Sequence, residues 1–117
     1  MLNTKEAATS RYTTTLKDQD GTAIPGTSLD SLTLTFYDKV TNGIINSRDD
    51  QNILGANNGS VDAAGLLTWE MQAADNPIVD ATRDRESHVA LFKFGWDSGR
   101  VAYHEAEIWC ENLNKVP

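Results

Sequence analysis

The stretch from Glu86 to Asn112 constrains this chain more than any other. It sets two apolar and aromatic runs on either side of a short turn made of Asp97, Ser98 and Gly99. Val, Ile, Phe, Trp and Tyr suit a pleated, half-buried surface, and Gly99 can adopt the positive φ that a tight turn or its bulge requires. The pattern predicts a β-hairpin. On its first arm Ala90, Phe92, Phe94 and Trp96 share one face, with Val89 and Leu91 on the other. Two apolar faces predict a central strand, or one that touches another protein. On the second arm Ala102, Ala106, Ile108 and Cys110 share a face, and the opposite face, Val101, Tyr103, Glu105, Glu107 and Trp109, is mixed. The hairpin holds two of the three tryptophans and the only cysteine, so the core is expected to gather on it.

Shorter alternating runs precede it. Arg11 to Lys17 places Tyr12, Thr14 and Leu16 on one face, and Ser31 to Asp38 opposes Leu32, Leu34 and Phe36 to Thr33, Thr35 and Tyr37. Leu66 to Met71 puts Leu67, Trp69 and Met71 on the core side and Leu66 outside. This period of two marks strands with one buried face. Turns fall at Asp18 to Gly21, at Asn42-Gly43 and at Ala63 to Gly65, and Ala73 to Asp75 reads as a helical turn ended by Pro77. Arg48 to Asn58 reads as a long polar loop that tucks Ile53 and Leu54 inward. Residues 1 to 10 lack strand periodicity and are expected to be an arm, flexible or ordered by a partner; residues 113 to 117 read as a tail. The prediction is an all-β, antiparallel, immunoglobulin-like sandwich of about seven or eight short strands over residues 11 to 112.

Charge and cysteine content narrow the function. A net charge of -7, with ten scattered basic residues, disfavours nucleic acid as a partner. A single cysteine excludes an intramolecular disulfide and a Cys-rich zinc site. Neither a secretion signal nor a membrane span is expected, and no cofactor.

The residues able to carry chemistry read as structural. Asp18-Gln19-Asp20-Gly21 opens like a calcium loop, but the twelfth position is Leu29 rather than a Glu, which favours a plain turn. If the hairpin turns near Ser98, His104 faces Lys93 and His88 faces Trp109 or a neighbour, too far apart to share a zinc ion. Glu105 and Glu107 read as a solvated strand face, and Cys110 as a small core residue. No nucleophile, base and orienting group assemble, so the chain is expected to be no enzyme. The tryptophans leave two readings, core packing or platforms for sugar rings. Trp109, sharing its face with glutamates, is a candidate protein contact.

The run Asp20-Gly21-Thr22-Ala23-Ile24-Pro25, followed by the strand Leu32 to Asp38, resembles the opening of small immunoglobulin-like domains in tailed-bacteriophage structural proteins, such as the N-terminal domains of upper-baseplate proteins. Gly59 to Trp69 is similar to that family's strand, Asp-x-x-Gly turn and strand, and the likeness runs from about Thr13 to Asn112. The resemblance implies a non-catalytic virion component in the neck, head decoration, tail or baseplate. It would be assembled in the host bacterial cytoplasm, bind other virion proteins and form a homo-oligomer in the particle. Tyr37, Asn42, Ile53, Leu54 and Trp109 are the expected partner contacts. The alternative is a carbohydrate-binding module for host attachment, which predicts at least one exposed tryptophan.

Overall fold

Alternation of apolar and polar residues builds two sheets. In the computed structural model, which describes residues 2–114, eight strands form. They are β1 (Leu2–Lys5), β2 (Ser10–Thr15), β3 (Leu29–Asp38), β4 (Gln51–Asn52), β5 (Gly59–Val61), β6 (Leu66–Met71), β7 (Arg85–Trp96) and β8 (Arg100–Glu111). One sheet has the order β1-β8-β7-β3-β4 and the other β2-β6-β5. These orders define an immunoglobulin-like sandwich: β8-β7-β3-β4 follows the G-F-C-C′ side and β2-β6-β5 the B-E-D side. The position beside β2 that a further strand would take in such a sandwich is open among the described residues.

The hairpin is the longest pairing, running unbroken from Arg85↔Glu111 to Trp96↔Arg100. Its register lies one position from expectation, so His104 faces Phe92 and His88 faces Ile108. The left-handed turn residues are Asp97 (φ 49°) and Ser98 (φ 53°), not Gly99. Asp tolerates that region because its short polar side chain bonds locally.

Residues 2–10 depart furthest from expectation. Instead of an arm, β1 pairs in parallel with β8, from Leu2↔Ile108 to Lys5↔Glu111, the one parallel pairing among the described residues. The crossing to β2 is pinned by buried Asn76, whose Oδ1 accepts from Thr4 Oγ1 at 2.8 Å and whose Nδ2 donates to the Ala8 carbonyl at 2.7 Å. Leu113 and Asn114 continue past β8, and the rest of the expected tail, 115 to 117, lies outside the described residues. The expected long loop carries the two-residue strand β4, and Ile53 after it is fully buried. Gly59 permits that burial, because a Cβ there would lie 2.4 Å from the Ile53 carbonyl oxygen.

The core joins Leu32, Leu34 and Phe36 of β3, Phe92 and Phe94 of β7, Ala106 and Ile108 of β8, and Leu67, Trp69 and Met71 of β6. Trp69 is its hub. Its indole meets Phe36 edge-on at 5.0 Å and Phe92 at 6.0 Å, so one side chain from the three-stranded sheet grips two strands of the other. Edge-to-face pairs of this kind add to the area they bury. Trp69→Ala is expected to cost about 3–5 kcal/mol by urea unfolding, whereas Leu66→Ala, facing outward from the same strand, stays within about 0.5 kcal/mol.

Candidate functional site

Two buried ionic groups emerge from residues that look like loop polars in the sequence. In the first, Arg48 and Asp75 are sealed from solvent. Arg48 Nε donates to Asp75 Oδ1 at 2.5 Å and Nη2 to Oδ2 at 3.0 Å, a bidentate pair. The remaining guanidinium hydrogens reach Gln51 Oε1, the Asn57 carbonyl and Asn58 Oδ1. Asp75 also accepts from Asn46 Nδ2 and the Gln72 amide. The guanidinium carbon stands 5.4 Å from the Trp69 ring centroid. Asp75 ends the 3-10 turn Ala73–Asp75, the helical turn expected there. Every polar atom of this pair is engaged, so the group joins the β3–β4 and β4–β5 connections to the turn after β6 and offers no vacant ligand position.

The second group gathers Asp38, Arg83, Glu86 and His88 where β3 ends and β7 begins. Ligand atoms of Asp38, Glu86 and His88 lie within 4.8 Å of one another, close enough for a cation. They are already spent. Glu86 accepts from the Val79 and Asp80 amides at 2.8 and 2.7 Å and lies 2.9 Å from His88 Nε2. Asp38 accepts from the Thr41 amide and from Arg83 Nη1 at 3.2 Å, and the same Arg83 nitrogen stands 3.4 Å from Glu86. Arg83 is therefore the cation of this cluster. Burial pushes the Asp38 carboxyl upward, but the Thr41 bonds and Arg83 outweigh it and hold Asp38 below the usual carboxylate range.

The five expected contact residues do not converge. Ile53 lies wholly in the core and cannot touch a partner, because its side chain is what the β4 connection buries. Leu54 is half-buried against the same core, and Asn42 is exposed in its turn at φ 62°. Tyr37 and Trp109 do share a surface, the outer face of the five-stranded sheet. Cross-strand rows on that face run Tyr37–Val89–Glu107, Thr35–Leu91–Glu105 and Thr33–Lys93–Tyr103. Tyr103 and Val101 are 61% and 52% exposed, and Lys39 pairs with Glu107 at 3.0 Å. Sequence reading named the ends of this face and missed its middle, although Leu91, Tyr103 and Val101 alternate with core residues.

No tryptophan forms an open platform among the described residues. Trp69 and Trp96 are buried, and half-buried Trp109 carries Arg85 over its ring, 4.4 Å from the centroid. Trp109 and Arg85 line a pocket of about 360 Å³ with Asn3, Thr4, Asp84 and Glu111. Along the opposite rim, where β8 passes β2, Tyr12 meets His104 Nε2 at 2.5 Å and stacks on Phe92 at 5.7 Å. Burial pushes the Tyr12 hydroxyl up and the His104 imidazole down, which suits a neutral ring accepting from a phenol. Burial likewise pushes the Cys110 thiol up, as befits its place in the core.

No family model matches the sequence, and no curated protein does. Among solved structures, the N-terminal Ig1-2 module of the Drosophila receptor protein tyrosine phosphatase DLAR is similar at 9% identity and a TM-score of 0.44, over 99% of this chain and 47% of that one. The chain thus spans about half the length of that module.

Removing one member of the buried pair, by Arg48→Ala or Asp75→Ala, is expected to cost about 3–5 kcal/mol in urea unfolding, since the survivor is left as an uncompensated buried charge. The Asp38 group sets an acid limit. Its folded pKa is depressed, so its contribution is present above the unfolded value near about 3.9 and is lost as pH falls through the lower folded value. The urea midpoint should drop in that window, and Asp38→Asn should flatten the drop.

Proposed function

We propose that this chain is a non-catalytic docking domain of a tailed-phage virion, in the neck, head decoration, tail or baseplate. Other virion proteins would be its partners, and the particle would hold it in several copies. The observation that carries the reading is the outer face of the five-stranded sheet. Half-buried Tyr37 and Leu91 and exposed Tyr103 and Val101 alternate there with Lys93, Glu105 and Glu107. An apolar centre with charged flanks suits a modest protein interface better than a catalytic cleft. Immunoglobulin-like sandwiches are generally non-catalytic, which agrees with this reading. The phage setting rests on the resemblance of Asp20 to Asp38 and Gly59 to Trp69 to phage structural domains. The rival sugar-binding reading lacks its central element, an uncovered tryptophan.

Quantitative peptide mass spectrometry on purified particles, normalised to the major capsid protein, tests the proposal. A fixed ratio near a ring number, roughly six or twelve per particle, supports a neck or tail position under closed symmetry, and a ratio near that of the capsid protein supports decoration. Absence from particles overturns the reading.

A further inference from the structure

β8 is only partly covered by β1. Twelve residues long, it pairs along one side with β7 throughout, yet β1 reaches only Ile108 to Glu111 on the other. The remaining eight residues, Arg100 to Glu107, have no strand beside them among the described residues and form an edge roughly 26 Å long at the usual strand rise. Its polarity follows from two hydrogen bonds. The Glu111 carbonyl points outward to the Glu6 amide at 2.9 Å, whereas the Asn112 amide points inward to the Asp84 carbonyl at 2.8 Å. The β7–β8 register is continuous, so odd-numbered residues direct both backbone groups away from β7. Val101, Tyr103 and Glu105 therefore offer their amides and carbonyls at the open edge, and Glu107 offers its amide, its carbonyl facing the Leu2 amide in the parallel register. No bulge interrupts this stretch, and unprotected edges of this kind are templates for strand addition.

The flanks of the edge describe what fits it. On the inner side two hollows open at the seam between the sheets. One of about 300 Å³ is lined by Leu2, Tyr12 and residues Glu105 to Glu107, and the other, about 270 Å³, by Thr14 to Lys17, Phe94, Tyr103 and His104. On the outer side stand Glu105 and Glu107. β1 shows how a strand meets these demands. It turns Leu2 and Thr4 inward and Asn3 and Lys5 outward, and Lys5 approaches Glu111 at 3.8 Å.

Resting on the docking reading above, we propose that the Arg100–Glu107 edge accepts an extended strand from another protein, in line with β1. That strand carries apolar side chains toward the two hollows and Lys or Arg on alternate positions toward Glu105 and Glu107. Charge selects this occupant over a second copy of the chain, which has a net charge of -7 and would bring its own Glu105 and Glu107 to the junction. Backbone bonds supply the affinity, and the alternating side chains the choice of partner.

The test is amide NMR on the full chain with two synthetic peptides, acetyl-Lys-Val-Lys-Leu-Lys-Val-amide and its counterpart with Glu for Lys, each raised to roughly 1 mM. The basic peptide should shift the amides of Val101, Tyr103, Glu105 and Glu107, and bind at least about tenfold more tightly than the acidic one. Tyr103→Pro should abolish those shifts while the remaining spectrum stays native, because the Tyr103 amide serves no bond to β7. Tyr103→Ala, which keeps the amide, should retain binding. Equal response to both peptides, shifts elsewhere, or no shift at all overturns the proposal. So does a sedimenting dimer that protects these four amides without peptide, which would make a second copy the occupant. The two readings fail separately. Normal incorporation of Tyr103→Pro into particles sinks the edge and spares docking, whereas absence of the unaltered protein from particles sinks docking whatever the peptide does.

Discussion

The sandwich depends on one guanidinium held under Trp69 by one carboxylate. Arg48 comes from a connection without periodicity and Asp75 from a single helical turn, yet their bidentate pair is dry and fully bonded. Removing two charges from water costs several kcal/mol each, and only good geometry with complete hydrogen bonding repays it. Asn46, Gln51, Asn57, Asn58 and Gln72 supply that completion. Irregular backbone on either side of β4 and after β6 is thereby tied to the indole that locks the sheets. The Asp38–Arg83–Glu86 cluster does similar work on the other side of Phe36, where β3 ends and β7 begins.

With the connections fixed in this way, the long hairpin can project an uncovered flank. β7 is central because both its neighbours are long, which agrees with its apolar residues on both faces. β8 has a four-residue neighbour on its outer side and so combines a mixed outer face, a row of unsatisfied backbone groups and two hollows at one rim. Here the Arg48–Asp75 pair is buried and fully bonded, and a row of backbone groups without a strand partner lies along an edge, where it suits a protein strand.

The parts of the fold written as alternation were legible. Leu32, Leu34 and Phe36, and Leu67, Trp69 and Met71, are buried as their spacing demands, because a strand has no other way to present an apolar face. β1 was illegible for the opposite reason. Leu2-Asn3-Thr4-Lys5 contains one large apolar residue, and it becomes a strand only because β8 offers backbone partners. β4 is two residues long and leaves no period to read. Arg48 and Asp75 were hidden because a buried ion pair distant in sequence looks like two loop polars. Ile53 was read both as an anchor and as a contact, and burial decides for the anchor. Of the expected contact residues, Tyr37 and Trp109 lie on the outer face of the five-stranded sheet, while the edge beside it depends on strand neighbours that one sequence does not reveal.

Residue-resolved amide hydrogen exchange on the isolated chain reads directly whether the β8 edge is open. If β8 is open from Arg100 to Glu107, protection should alternate. Ala102, His104 and Ala106 should exchange slowly, bonded to β7, while Val101, Tyr103, Glu105 and Glu107 exchange quickly and Trp109 and Glu111, beneath β1, are protected again. Uniform protection along the whole strand would mean instead that the edge is already filled and open to no partner.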